Sequence, residues 1–192
     1  TLPSWLSFNA GSGVLSGTPT NNNVGTHSVV LSATDSSGAV DTQSFIITVS
    51  NVNDTPTVTS TAITSSTEDN AYSYTFAASD VDIGDTVTYA AATLPSWLSF
   101  DTGSGVLSGT PTNTNVGTHS VVLTATDSSG AVDTQSFTLT VTNVNDAPTV
   151  TSTAITSGAE DSAYSYTFAA SDVDSGDTMT YGATTLPSWL SI

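Results

Sequence analysis

The sequence contains no lysine, no arginine and no cysteine, whereas 17 Asp and Glu residues give the 192-residue chain a formal net charge of -17. Without cations, the protein lacks the basic surface that binds nucleic acid or an anionic membrane. Without cysteines, it has neither disulfide bonds nor thiolate chemistry. No apolar run approaches the roughly 20 residues of a membrane-spanning helix, so we expect no membrane insertion in this segment.

The carboxylates have no basic side chain to offset them. Their mutual repulsion must therefore be relieved by solvent salt or by bound cations, and calcium is the obvious candidate. Hydrophobic residues make up 37% of the sequence, and the aromatic and β-branched positions are regularly placed. This composition predicts packed cores rather than a disordered chain.

A repeat of 92 residues organises the whole chain. The octapeptide at residues 1–8 recurs at 93–100 and, with Ile in place of Phe, at 185–192. Residues 1–92 and 93–184 differ at only fifteen positions. This period is too long for a short helical repeat and fits a sandwich domain that folds by itself.

Within each repeat the pattern is that of β-strands. Apolar and polar residues alternate in short runs rich in Thr, Val and Tyr, separated by Gly, Asn and Asp turns, and no helical period is present. We expect an all-β Greek-key sandwich of about seven strands per repeat. In the second repeat the clearest runs are residues 56–62, 71–77, 85–90, 105–109, 118–125 and 134–141.

The segments at 51–54 and 143–146, each followed by a proline, are typical of linkers. We therefore expect residues 54–145 to form one complete domain. Residues 1–53 would be the later strands of a preceding domain, and residues 146–192 the earlier strands of a following one. Joined end to end, these two fragments would build another whole repeat.

Several motifs carry a family resemblance over the whole chain. They are Leu-Pro-Ser-Trp-Leu-Ser-Phe-Asp at 94–101, Gly-Val-Leu-Ser-Gly-Thr-Pro at 105–111, Val-Gly at 116–117 and Ala-Thr-Asp at 125–127. These residues resemble the Ig-like and dystroglycan-type cadherin-like tandem repeats of large bacterial surface adhesins. The resemblance implies cadherin-like domains joined head to tail, with neighbouring repeats of the chain as partners and calcium between them.

Cadherin calcium sites combine an upstream glutamate, an acidic linker and two loop motifs of the downstream domain. The resemblance implies the corresponding ligands at two junctions. At the first, around residues 51–54, the upstream glutamate would precede Thr1. The implied ligands are Asn51, Asn53, Asp54, Asp80, Asp82 and Asp127 at the first junction, and Glu68, Asn143, Asn145, Asp146, Asp172 and Asp174 at the second.

The sequence also departs from the cadherin pattern. Residues 110–113 are Thr-Pro-Thr-Asn where cadherins carry Asp-Arg-Glu, and Asn51 and Asn143 replace the linker aspartate. Fewer carboxylates predict one or two ions per junction, bound with dissociation constants of roughly 10⁻⁴ to 10⁻³ M.

The Asp-rich loop suggests calcium without the resemblance. Residues 80–85 offer three carboxylates, from Asp80, Asp82 and Asp85, and Asp177 is the counterpart of Asp85 in the next repeat. A hard cation takes six to eight oxygen ligands, which short Asp-rich loops supply. The alternative is that these residues are merely solvated turn residues.

Nothing in the sequence predicts an enzyme. Glu68 and Asp69 are neighbours that would point to opposite faces of a strand, so they do not form an acid/base pair. We expect His27 and His119 to be packed structural residues. We expect the Trp residues at 5, 97 and 189 to pack in cores rather than stack on sugars.

The leading hypothesis is a spacer or adhesive segment of a long extracellular, cell-surface or matrix repeat protein, rigidified by calcium at its linkers. One alternative is a self-assembling extracellular filament or sheath. This chain would be either a subunit of it, completed by homo-assembly with neighbouring copies, or one stretch of a continuous polymer. Another is a repeated module that binds a glycan or a surface receptor, where repetition multiplies weak sites.

Overall fold

The computed structural model describes residues 2–192, and their fold is all-β, as the sequence predicts. Regular structure in these residues consists of fifteen strands and two 3-10 turns, Asn21–Asn23 and Asn113–Asn115. No helix in residues 2–192 is long and apolar enough to cross a membrane.

Residues 57–142 form a two-sheet sandwich, here called the central sandwich. Its strands are β5 (Thr57–Val58), β6 (Ser65–Thr67), β7 (Tyr72–Thr75), β8 (Ala78–Ser79), β9 (Thr88–Thr93), β10 (Leu98–Asp101), β11 (Val106–Gly109), β12 (Gly117–Thr126) and β13 (Val132–Thr142). One sheet has the order β10-β11-β7, the other has the order β6-β13-β12-β9, and β5 pairs with β8. The β6-β13 pair is parallel and the other pairs are antiparallel.

The core of the central sandwich follows from the alternation of its strands. On β12, Val121, Leu123 and Ala125 are fully buried while their neighbours are partly exposed. Leu107 and Leu139 contribute fully buried side chains from β11 and β13. Burying each such Leu or Val side chain stabilises the fold by about 1.5–3 kcal/mol.

Gly105 shows how closely the chain approaches itself where β7 and β11 pair in one sheet. Its φ is 71°, which strains any other L-residue, and a Cβ at this position would lie 2.4 Å from the Phe76 carbonyl oxygen. The amide of Phe76 donates to the Gly105 carbonyl at 2.8 Å. Glycine is therefore required where β11 begins to pair with β7.

Residues 2–50, here called the N-terminal segment, form two hairpins. β1 (Leu6–Asn9) pairs with β2 (Val14–Gly17), and β3 (Gly25–Thr34) pairs with β4 (Val40–Val49). Residues 147–192, the C-terminal segment, contain one short pair, β14 (Thr149–Val150) with β15 (Ala170–Ser171).

The central sandwich has nine strands, where the sequence predicts about seven. The predicted runs at 56–62 and 71–77 form ladders over only part of their length, and β6, β8 and β10 lie outside the predicted runs. The domain limits of 1–53, 54–145 and 146–192 stay a prediction.

Candidate metal centres

Each linker is held to an Asp-rich loop of the repeat that follows it. The backbone N–H of Asp54 donates to Asp82 Oδ2 at 2.7 Å, and that of Asp146 donates to Asp174 Oδ2 at 2.7 Å. Asp82 and Asp174 are 5% and 6% exposed. The linker aspartates are therefore fixed beside buried carboxylates at both junctions.

The Asp-rich loops start where β8 and β15 end, and each bends back on itself. The amide of Asp82 donates to Asp80 Oδ1 at 2.8 Å, and the amide of Asp85 donates to the Asp82 carbonyl at 3.2 Å. Gly84 makes the turn with a φ of 92°. The Asp-x-Asp spacing thus gathers carboxylates in one short loop.

The second junction contains two acidic groups. Carboxylate oxygens of Glu68, Asp146 and Asp174 lie within 4.8 Å of one another, and so do those of Asp172, Asp174 and Asp177. Asp174 belongs to both groups. The upstream glutamate, the linker and the downstream loop therefore meet at this junction, as the resemblance implies for a calcium site.

Glu68 is placed by the turn that follows β6. Its backbone N–H donates to the Thr142 carbonyl at 3.1 Å, and its side chain is 0% exposed. Asp69 adopts a φ of 58°, and its N–H donates to the Pro111 carbonyl at 2.8 Å. Glu68 Oε1 accepts from the amide of Val144 in the linker, so Glu68 contacts the linker directly.

The first junction gathers Asp80, Asp85 and Asp127, whose carboxylate oxygens also lie within 4.8 Å of one another. Asp127 Oδ1 accepts from the backbone amides of residues 129 and 131 in the β12-β13 turn. Asn53 Nδ2 donates to Asp127 Oδ2 at 2.8 Å, and Ser128 Oγ donates to Asp85 Oδ1 at 2.6 Å. This group joins the linker to two loops of the central sandwich.

The two junctions differ in electrostatics. The Asn53 amide, aided by backbone amides of the hairpin turn, holds the pKa of Asp127 below its ordinary value, although burial opposes this. Burial raises the pKa of Asp146, and the negative charges of Asp174, Asp69 and Asp172 raise it further. The linker carboxylate at the second junction is therefore surrounded by charges of its own sign.

Buried carboxylate oxygens that accept no hydrogen bond indicate whether a cation fits these groups. Within residues 2–192, four carboxylate oxygens are buried and accept no hydrogen bond: Glu68 Oε2, Asp80 Oδ2, Asp82 Oδ1 and Asp85 Oδ2. The sequence has no Lys or Arg that could pair with them. Buried charged groups without a partner are costly, and a cluster of carboxylate oxygens is the ligand set that Ca²⁺ prefers. The residues therefore fit calcium.

The predicted ligands do not all take part in these groups. Asn51 and Asn143 are exposed. Asn145 donates its amide to the Asp146 carbonyl. Asp54 lies outside the three carboxylate groups; it is exposed and accepts from Asn21 Nδ2 at 2.7 Å.

Sequence reasoning missed Asn21 and Asn113 as junction residues. Each starts a 3-10 turn, and Asn113 Nδ2 donates to Asp174 Oδ1 at 2.7 Å. Asn113 lies within residues 110–113, where this sequence departs from the cadherin pattern. That departure is the sequence feature that could have indicated a junction residue here. His119 instead packs edge-on against Trp97, with ring centroids 5.8 Å apart, as expected for a structural histidine.

Comparison with known families decides the identity of the repeat. The family model described as "Putative Ig domain" matches three segments of the chain, residues 1–50, 55–142 and 147–192. The chain belongs to this family. The three matches to the Ig domain model follow the 92-residue repeat, and the central match contains all nine strands of the central sandwich.

Solved structures place these Ig domains among cadherin-like sandwiches. The extracellular cadherin domains 1–5 of protocadherin gamma B2 align with a TM-score of 0.55 and 21% identity over 89% of this chain and 37% of that one. The protocadherin gamma B4 extracellular domain aligns with a TM-score of 0.55 and 21% identity over 91% of this chain and 33% of that one. At this identity the likeness concerns the fold.

An endo-fucoidan hydrolase of glycoside hydrolase family 107 also aligns, with a TM-score of 0.41 and 25% identity over 75% of this chain and 23% of the hydrolase. The Ig-domain chain thus spans roughly a fifth to two fifths of the length of these structures. A comparison with curated protein sequences gives no match.

Proposed function

We propose that this chain is a non-catalytic segment of a long extracellular protein, in which Ig-like repeats act as an adhesive or structural spacer and calcium stiffens each junction. One observation carries the proposal. Glu68, Asp146 and Asp174 come from two repeats and the linker between them, and their carboxylate oxygens lie within 4.8 Å of one another. A cation bound by all three would resist hinge motion at the linker.

At the second junction, the ligands would be Glu68, Asp146, Asp172, Asp174 and Asp177. These are five carboxylates in two groups that share Asp174. Two groups that share one carboxylate suit one or two ions. A site that keeps some water ligands binds calcium with a dissociation constant of roughly 10⁻⁴ to 10⁻³ M.

At the first junction, Asp80, Asp85 and Asp127 would hold the ion. Asp82 and Asp54 adjoin this group through the hydrogen bonds that connect them to Asp80 and to each other. The Asn53 amide, which donates to Asp127, would turn its carbonyl oxygen toward a bound cation. No step of catalysis is required of any of these residues.

An extracellular location supports calcium binding, because such weak sites are filled only where calcium is near millimolar. The protocadherin structures are of extracellular cadherin domains. Stiff junctions would make the stability of the array approximately a sum over repeats and junctions.

Thermal unfolding tests the proposal. Millimolar calcium should raise the melting temperature of the chain relative to excess chelator, and equal magnesium should raise it less, because Mg²⁺ binds smaller and more rigid sites. A melting temperature that is the same in calcium and in chelator would contradict the proposal.

A further inference from the structure

The first residues of the central sandwich run parallel to its last strand. The amide of Val58 donates to Asp133, which lies 75 residues further along the chain, and Ser65 pairs with Thr140 at that same offset. Residues 58–68, here called the entry segment, therefore follow β13 in one register. Because the pairing is parallel, the entry segment starts beside the beginning of β13, and the chain leaves the sandwich at the opposite end of the pair.

Hydrogen bonds join the entry segment to β13 and to the linker that follows it. In chain order they include Val58 N to Asp133 Oδ2 at 2.8 Å, Gln135 Nε2 to the Ser60 carbonyl at 2.8 Å, Thr140 N to the Thr64 carbonyl at 2.9 Å, Thr142 Oγ1 to the Ser66 carbonyl at 3.2 Å, Glu68 N to the Thr142 carbonyl at 3.1 Å, and Val144 N to Glu68 Oε1. These bonds lie across the two segments. Pulling the segments lengthwise past each other therefore loads the bonds together.

The position of β6 in its sheet makes this contact the main attachment of the entry segment. β6 lies at the edge of the four-stranded sheet, next to β13. β13 is itself held by β12, which pairs with it over the whole of Gly117–Thr126. The entry segment is also attached through the two-residue ladder of β5 and β8, which is too short to hold it alone. A load on the entry segment is therefore passed to the sandwich through β13.

The linkers determine the direction of any pull on the central sandwich. Repeats are joined in series by the linkers at 51–54 and 143–146, so tension on the array enters before β5 and leaves after β13. These two points lie at opposite ends of the parallel pair. The pull therefore shears the entry segment along β13, and several hydrogen bonds must break in one step. In an antiparallel pair pulled from its open end, the bonds would break one after another.

We propose that the central sandwich bears tension along the chain and that the contact between the entry segment and β13 is its mechanical clamp. Resistance to forced unfolding depends on the rate of unfolding rather than on the free energy of unfolding. The clamp is therefore a property separate from overall stability. It also differs from the stiffening of junctions, because it resists extension of the repeat itself.

Glu68 connects the clamp to the second junction. It is the last residue of the entry segment, and its Oε1 accepts from the amide of Val144. Its other oxygen, Oε2, is buried and has no hydrogen-bond partner within residues 2–192. A cation bound by Glu68, Asp146 and Asp174 would tie the end of the entry segment to the linker at which the pull leaves. Calcium should therefore strengthen the clamp, and this clause alone rests on the function proposed above.

Single-molecule stretching of the full chain from two chosen points tests the direction of resistance. The chain has no cysteine, so an introduced pair defines where the force acts. T55C with A147C pulls lengthwise between exposed counterpart positions in successive repeats. T114C with A147C instead peels β12 from β13 at their open end. In chelator, the lengthwise pull should need a force at least about twofold greater than the peeling pull, because it must break several bonds together.

Two variants in the lengthwise geometry separate the clamp from overall stability. S66P removes a backbone amide from the middle of β6. V121A is the control, because it leaves a cavity in the core, where Val121 is 0% exposed, but does not alter the clamp. Denaturant unfolding should show that both variants fold and that both are destabilised. S66P should lower the lengthwise force by at least about half, whereas V121A should lower it much less.

Equal forces for the lengthwise and peeling pulls would overturn the proposal, and so would equal losses of lengthwise force in S66P and V121A. In calcium the lengthwise force should rise further. E68Q should remove that rise but keep the force measured in chelator, because glutamine still offers an oxygen to the Val144 amide. A lengthwise force that is the same in calcium and in chelator, with the difference between the two pulls retained, would support the clamp and contradict only the calcium-dependent function.

Discussion

Carboxylate oxygens of Glu68 and Asp174 lie within 4.8 Å of each other, although the two residues are separated by the linker and belong to different repeats. Glu68 is fully buried and Asp174 is 6% exposed. Their ionised forms repel each other strongly at this distance in a partly dry environment. A bound divalent cation would convert this repulsion into the contact that holds the junction.

Neutralising Glu68 tests the upstream ligand. E68Q should weaken calcium binding at the second junction by at least about tenfold, because it removes one anionic ligand from the group of three. Isothermal titration calorimetry measures the affinity. D101N is the matched control, since it makes the same charge change outside the acidic groups and an asparagine, Asn9, stands at the counterpart position. Unchanged affinity in E68Q would rule out Glu68 as a ligand.

Neutralising Asp85 should change stability in opposite directions with and without calcium. In chelator, D85N should stabilise the protein by about 1–3 kcal/mol, because the new amide can donate to Asp80 or Asp127 in place of an unpartnered buried oxygen. In calcium it should destabilise the protein, because an anionic ligand is lost. Denaturant unfolding in both buffers measures the two effects, and a change of the same sign in both would refute a metal role for Asp85.

Adding a carboxylate at Asn113 should strengthen the second junction. Asn113 contacts Asp174 at 2.7 Å, so N113D would add an anionic oxygen to the group. We expect about tenfold tighter calcium binding and a lower melting temperature in chelator. T114D adds the same charge on an exposed neighbour and should change the affinity much less. Equal effects of the two variants would indicate general electrostatic attraction rather than ligation.

Asp101 should give a pH-dependent contribution to stability that is separate from calcium. Hydrogen bonds from Ser104 and Gly103 lower its pKa below the ordinary value of 3.8. A lowered pKa stabilises the fold above the pKa of the unfolded chain, and this contribution is lost as the pH falls through the folded-state pKa. The difference in melting temperature between the unaltered chain and D101N should therefore be constant near neutral pH and shrink below about pH 4. A difference that grows on acidification would contradict this assignment.

Local patterns made the fold and much of the site predictable. The 92-residue period and the alternation on β12 predict the sandwich, and the Asp-x-Asp spacing predicts the acidic loop, because each depends on residues close in sequence. The contact of Asn113 with Asp174 was not predictable in this way, since it depends on how two repeats meet. The short strands β6 and β8 were missed because three-residue and two-residue ladders leave no alternation to detect.

The N-terminal and C-terminal segments show how much of each repeat depends on its other half. Val29 is 0% exposed within the β3-β4 hairpin region, but Leu15 and Leu31 remain partly exposed. Sequence identity with the central sandwich therefore does not by itself produce a closed core.

Small-angle scattering in calcium and in chelator tests the stiffened junction most directly. The account predicts a maximum dimension that shortens and a distribution of distances that broadens when chelator removes calcium, because the junctions then bend. Identical scattering profiles in calcium and in chelator would contradict it.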